Sequence, residues 1–195
     1  MELQQLGALA LFAFVSTFTP GPNNIMLMTS GANVGFSRTM PHMLGIILGF
    51  AVMLILVGVG LMGLFQQYPL MHQLMKYACL GYVFYLAVKI ALSKKNHTAA
   101  EYRPMTFLSA AGFQWLNPKG WSMALTAVTV YGGGGAWTEL TFIALVFIVA
   151  NLPSVTFWTA AGIRLQRWLI TPRRIQLFNL AMAALLLSST VPMLT

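Results

Sequence analysis

Acid is nearly absent from this chain. Glu2, Glu101 and Glu139 are the whole acidic complement of 195 residues, against 11 Lys and Arg. Charged residues make up 7% of the sequence, where a soluble domain carries about 25%. So few charges cannot cover a water-facing surface of this size. The single cysteine, Cys79, excludes an intrachain disulfide and a paired-cysteine redox centre, and reads as a small packing residue. No Lys or Arg precedes the first apolar run, so the start does not read as the basic head of a cleaved signal peptide. His-Glu-x-x-His spacing is missing too, and no embedded acid–base pair is visible. Enzyme chemistry, a bound metal and a cofactor are therefore not expected.

What the chain has instead is apolar sequence: 58% of its residues are hydrophobic. Six runs stand out, at roughly 6–28, 40–64, 70–92, 105–130, 140–163 and 175–194. A helix needs about 20 apolar residues to cross a bilayer, and each run qualifies. The expected class is an all-α polytopic membrane protein with one domain spanning 1–195. Gly45, Gly49, Gly58, Gly60 and Gly63 in the second run read as small surfaces where helix backbones approach closely.

The +8 balance does not point to nucleic acid, because the basic residues fall between apolar runs. Arg38 lies between runs one and two, with His42 just after it. Lys94, Lys95 and Arg103 follow run three, and Arg164, Arg167, Arg173 and Arg174 follow run five. The other connections hold Gln66, Gln67 and Tyr68, and then Gly132 to Gly135 with Glu139. Excess Lys and Arg mark the cytoplasmic side, which predicts both termini outside, on the periplasmic face. Lys76 is the ambiguous case, and Lys89 can snorkel to the inner interface. Trp137 and Trp168 flank spans as interfacial aromatics do. The polar linker 93–104 divides the chain into half-repeats of about 1–92 and 105–195, with three spans each. An odd number per half inverts the second half, so spans one and four should correspond, as should two and five.

Two interruptions carry the chemistry. Thr19-Pro20-Gly21-Pro22-Asn23-Asn24 breaks the first span, and Asn117-Pro118-Lys119-Gly120 breaks the fourth. Proline removes a backbone donor and clashes with the preceding turn. Broken backbone at membrane depth is tolerated only where it is packed in protein or lines a wet cavity. Paired breaks in corresponding positions of two halves point to a transporter site. Helix N-terminal ends favour a carboxylate and C-terminal ends an ammonium group, so two facing breaks suit a zwitterion. Lys119, a cation within a span, should face a cavity or a partner. It reads either as a contact for a substrate carboxylate or as a pin for the broken backbone, with a snorkelling lysine as the bland alternative. Asn23, Asn24 and Asn117, and more weakly Thr19, read as lining the site or as caps of the broken helices. Asn151-Leu152-Pro153-Ser154 reads as a proline kink. His42, His72 and His97 read as solvated interface residues. A coupled proton would have to use Lys119, a His, a Tyr such as Tyr82 or Tyr85, or the substrate. Phe113, Trp115 and Trp121 read as packing or lipid contacts.

With both breaks in view, the chain resembles the LysE/RhtB family of amino-acid exporters. The resemblance covers nearly the full length. It rests on Thr19-Pro20-Gly21-Pro22-Asn23, Gly35-Phe36, Gly45-Ile46-Ile47-Leu48-Gly49 and Leu116-Asn117-Pro118-Lys119. It implies inner-membrane efflux of amino acids or derivatives by proton antiport, and an inverted three-plus-three fold. Many members have an aspartate where this chain has Asn23, and many another where it has Phe50. Losing both disfavours a cationic substrate, which would want a buried anion. The pattern resembles the branch that includes cysteine and O-acetylserine exporters, which implies a small neutral amino acid or derivative. A homodimer is compatible with the pattern. A non-coupled channel and a non-transporting membrane assembly partner stay open as alternatives.

Overall fold

The computed structural model describes residues 3–61, 69–92, 102–132, 136–166, 168 and 171–188. Seven α-helices lie among them: α1 (Leu3–Phe18), α2 (Pro22–Leu56), α3 (Pro69–Ala91), α4 (Phe107–Phe113), α5 (Pro118–Tyr131), α6 (Trp137–Gln166) and α7 (Pro172–Ser188). A π-helical turn, Val57–Leu61, prolongs α2, and a 3-10 turn, Gln114–Leu116, follows α4. No strand occurs among the described residues. Glu2, Gly63, Gln66, Gln67, Tyr68, Gly133 to Gly135, Arg167 and the linker with Lys94, Lys95, His97 and Glu101 lie outside them, as do the side chains of His72, Lys76, Cys79, Tyr82 and Lys89.

Gly35 turns α2 back on itself. Its backbone sits at φ 74, ψ −175, a region essentially reserved for glycine because a Cβ would clash. Ser30 Oγ and His42 Nδ1 lie 3.3 Å apart across this point although twelve residues separate them. A straight helix would hold them about 18 Å apart. Leu27 likewise shares one buried cluster with Met43, Ile46 and Ile47. The apolar stretch Pro22–Gly60 is 39 residues long, but it is a hairpin of two legs, 22–34 and 36–60. The first leg is too short to cross a bilayer core of about 30 Å alone. It continues α1 beyond the break, so the first apolar run extends past residue 28 to the turn at Gly35. The second leg starts at 36, earlier than the expected 40, because Gly35 makes the whole turn in one residue.

The α2 hairpin packs most extensively on α6, a 30-residue helix also long and apolar enough to cross a membrane. Small residues allow the close crossing. A Cβ on Gly31 would meet the Thr159 carbonyl, and one on Gly162 the Met28 carbonyl. The second leg meets α4 the same way, with Gly45 under Phe107 and Gly49 under Ala111. Gly58 faces the Leu140 side chain, so three of the glycines do the packing expected of them. Gly60 does not: it has open space around it and φ 119, and serves the π-helical turn. Pro153 does not interrupt α6, which runs through it. Outside, Leu11, Val149 and Phe157 are more than half exposed, and a surface of such residues suits lipid better than water.

Candidate substrate site

The two breaks are built alike. After α1, Gly21 is extended at φ −174, ψ 178 and Pro22 opens α2. After the 3-10 turn, Asn117 is extended at φ −98, ψ 107 and Pro118 opens α5. Proline suits a first helical position, where its missing N–H has no partner to lose. Neither Gly21 nor Asn117 caps its helix with a side-chain hydrogen bond, so the Asn117 side chain does not serve α5 as a cap.

The carbonyls freed at the end of α1 all find partners. Thr17 O accepts from Asn24 Nδ2 at 2.9 Å and from Ser154 Oγ at 2.8 Å. Phe18 O accepts from Trp158 Nε1 at 3.2 Å. Thr19 O accepts from Asn24 Nδ2 at 2.9 Å and from the Lys119 ammonium. The broken end of α1 is thus held by α2, α6 and α5, as buried backbone requires. Thr17 Oγ1 lies 3.0 Å from Phe14 O and 3.4 Å from Ala150 O, the latter one turn before Pro153.

Lys119 joins one break to the other, and a second link runs beside it. Asn23 Nδ2 donates to Gln114 Oε1 at 2.8 Å, and Gln114 Nε2 donates to Ala110 O at 2.8 Å and reaches Asn23 Oδ1 at 3.4 Å. Between the breaks lies a cavity of about 30 Å³, room for about two waters. Its wall includes Gly21, Asn23, Asn24, Gln114, Asn117, Lys119, Gly120 and Asn151, with Ile46, Phe50 and Met123 as apolar parts. Among the described residues, the wall carries one cation and no carboxylate. Asn117 is 3% exposed and its Oδ1 has no hydrogen-bond partner. An orphaned buried acceptor costs about 1–3 kcal/mol, and a ligand donor would remove that cost.

Six of the residues singled out in the sequence meet in this wall: Gly21, Asn23, Asn24, Asn117, Lys119 and Gly120. Pro20, Pro22 and Pro118 shape the breaks without joining it. Thr19 contributes its carbonyl, while its hydroxyl turns back to Ser16 O at 2.9 Å. Gln114 was passed over in the sequence, yet it is fully buried and pairs with Asn23. The usable signal was a lone amide in an apolar run three residues before Asn117. Asn151, read only as part of a kink, lines the cavity. Phe113 packs away from it among Ile25, Val83 and Met182, and Trp121 Nε1 donates to Trp115 O at 3.0 Å. His42 corrects an expectation: it is fully buried, not solvated, because the turn at Gly35 folds the Ser30 leg over it.

Curated relatives are named cysteine/O-acetylserine efflux protein, from Escherichia coli and Shigella flexneri; both are 28% identical over 126 residues, 65% of this chain and 65% of the relative. The chain thus matches just under two thirds of the length of these relatives. No solved structure matches. The family model for LysE type translocators matches residues 14–195, which include both breaks and every residue of the cavity wall, and the chain belongs to that family of membrane translocators.

Proposed function

We propose that this protein is an inner-membrane secondary exporter of a small neutral amino acid or derivative, driven by proton antiport. Cysteine and O-acetylserine are the first candidates, because the relatives carry those names. The observation that carries the reading is the meeting of the two breaks around a wall with one cation, several amides and an unpartnered Asn117 Oδ1. In this reading Asn117 Oδ1 accepts from the substrate ammonium, Lys119 meets the carboxylate, and Asn23 with Gln114 faces the side chain. A wall without an acid offers a cationic side chain no partner.

A 30 Å³ cavity is too small for an amino acid. Enlarging it means parting the breaks, which opens the Lys119–Thr19 and Asn23–Gln114 links. We read these links as the closures that alternate during transport. The corresponding architecture is six crossings in an inverted three-plus-three arrangement: α1 with the first leg of α2, the second leg, α3, α4 with α5, α6 and α7. The two half-repeats form a single transmembrane domain. Arg38, Arg103, Arg164, Arg173 and Arg174 then face the cytoplasm, and both termini face the periplasm.

The test is to overexpress the chain, load cells separately with cysteine, O-acetylserine and lysine, and measure each compound outside. Efflux of a neutral compound is expected, with none of lysine, and Asn117→Ala should abolish it while the protein still inserts. Undiminished efflux in Asn117→Ala cells would remove the proposed site.

A further inference from the structure

A second buried polar cluster lies off the cavity, toward Gly35. His42 has no exposed surface and Ser30 is 1% exposed. Ser30 Oγ stands 3.3 Å from His42 Nδ1 and 3.2 Å from Tyr102 Oη. The second ring nitrogen of His42, Nε2, is buried and has no partner. Packing alone would favour an apolar side chain here, since a buried nitrogen without a partner loses its hydration for nothing.

Position gives the cluster a use. His42, Ile46 and Phe50 follow one another at four-residue spacing along one helix face, and Ile46 and Phe50 line the cavity. His42 therefore sits one turn, about 6 Å along the axis, beyond the cavity wall on the Arg38 side. Tyr102, in the segment before α4, extends the cluster through Ser30. Burial raises the Tyr102 phenol above its ordinary value, opposed by the Ser30 hydrogen bond, so the hydroxyl keeps its proton. Among the described residues, α6 adds Thr159, whose backbone packs on Gly31 and whose buried Oγ1 has no partner. Among the described residues the charged groups at this end, Arg38 on α2, Arg103 beside Tyr102, Arg164 on α6 and Arg173 and Arg174 at the start of α7, are exposed. α4 brings no titratable group, and Glu101, next to Tyr102 in sequence, lies outside the described residues.

We propose that His42 carries the coupling proton, taking it up at Nε2 and releasing another from Nδ1 through the Ser30 and Tyr102 hydroxyls toward the Arg38 end. The inference rests on the export reading above. One proton enters at Nε2, giving an imidazolium. The Nδ1 proton passes to Ser30 Oγ, which gives its own to Tyr102 Oη, which gives its own to water. One proton has crossed, and the ring is neutral in its other tautomer. Rotation of the ring and hydroxyls resets the chain.

The full chain is reconstituted in vesicles with an acidic interior, and labelled O-acetylserine is supplied outside. Wild-type protein is expected to accumulate the label several-fold above equilibrium, and to exchange labelled for unlabelled compound at equal pH. His42→Gln should lose the accumulation and keep the exchange. Tyr102→Phe should slow accumulation several-fold with exchange unchanged. Accumulation at wild-type level in His42→Gln overturns the inference. If His42→Gln does not fold, undiminished accumulation in Tyr102→Phe overturns it instead. Wild-type exchange without accumulation overturns proton coupling and leaves export standing. No exchange by the wild type removes the export reading and this inference with it.

Discussion

The Lys119 ammonium donates to the main-chain carbonyl of Thr19, one hundred residues earlier in the chain. This single contact fastens the start of α5 to the end of α1, and the lysine stem lies along Gly21, where an added Cβ would stand 2.9 Å from Lys119 Cδ. A cation at the C-terminal end of α1 sits where the helix dipole favours it. In the proposed cycle the lysine is half of a closure, and the same ammonium, the one cation among the described residues of the wall, is offered to a substrate carboxylate.

Lys119→Met keeps the length of the stem and removes the charge. Thr19 O then keeps only Asn24 as a partner. A lost hydrogen bond to a charged group costs about 1.5–3 kcal/mol, so the purified variant should melt at a lower temperature than the wild type. Export should fall by at least tenfold. Lys119→Arg should not restore it, because a planar guanidinium on a stem held against Gly21 cannot take the place of a compact ammonium. Melting curves and efflux rates of both variants check this; full export by Lys119→Met would detach the lysine from the transport cycle.

Asn23 and Gln114 offer a cleaner energetic test, since they pair with each other in the buried part of the site. Either single alanine substitution leaves the opposite amide short of a partner, at about 1–3 kcal/mol. The double substitution removes both amides together and should cost less than the sum. A double-mutant cycle on melting stability should return a coupling of about 0.5–3 kcal/mol. Strict additivity would mean that the two amides act independently.

The sequence made both breaks legible because proline and glycine leave few backbone options, and a charge within an apolar run needs a reason. It did not show how each freed carbonyl is satisfied. Ser154 and Trp158 reach Thr17 and Phe18 from more than 130 residues away, and no local pattern marks such a partner. Gln114 offered a signal, a lone amide in an apolar run, but its meaning comes from Asn23, on a different helix. His42 was misread because burial was judged from its place at the start of an apolar run. Its environment is set by the turn at Gly35, which brings Ser30 over it. The hairpin itself was half visible, as Gly35 was noted only through a family resemblance and not for its backbone.

Gly35 makes a prediction that depends on backbone conformation alone. Nothing lies within 4 Å of a Cβ built there, so any cost of Gly35→Ala comes from φ 74, ψ −175. Such strain is worth about 1–3 kcal/mol. Asparagine tolerates the left-handed helical region, but that region has ψ near +47° for its centre, far from the value here. Gly35→Asn should therefore be destabilised like Gly35→Ala. Melting of both variants in detergent decides it, and a stable Gly35→Asn would mean that the turn relaxes to a different conformation.

The crossing of α2 and α6 makes the last prediction. A Cβ on Gly162 would run into the Met28 carbonyl and stand 3.0 Å from Ala32 N, and a Cβ on Gly31 would run into the Thr159 carbonyl. These neighbours are backbone, so they yield only if the two helices separate. Overpacking of this kind costs about 1–3 kcal/mol, and Gly162→Ala should lower both yield and melting temperature. Gly31 and Gly162 share one crossing, so once one substitution has spread the helices the second meets less resistance. The double variant should fall short of additivity. Gly112→Ala is the control: it lies in α4 with nothing within 4 Å, and alanine in a helix gains about 0.5–1 kcal/mol over glycine. If Gly162→Ala proved as stable as Gly112→Ala, the two helices would have to stand further apart than a shared glycine contact allows. Thr17, Asn24 and Ser154 would then be unable to meet at the end of α1.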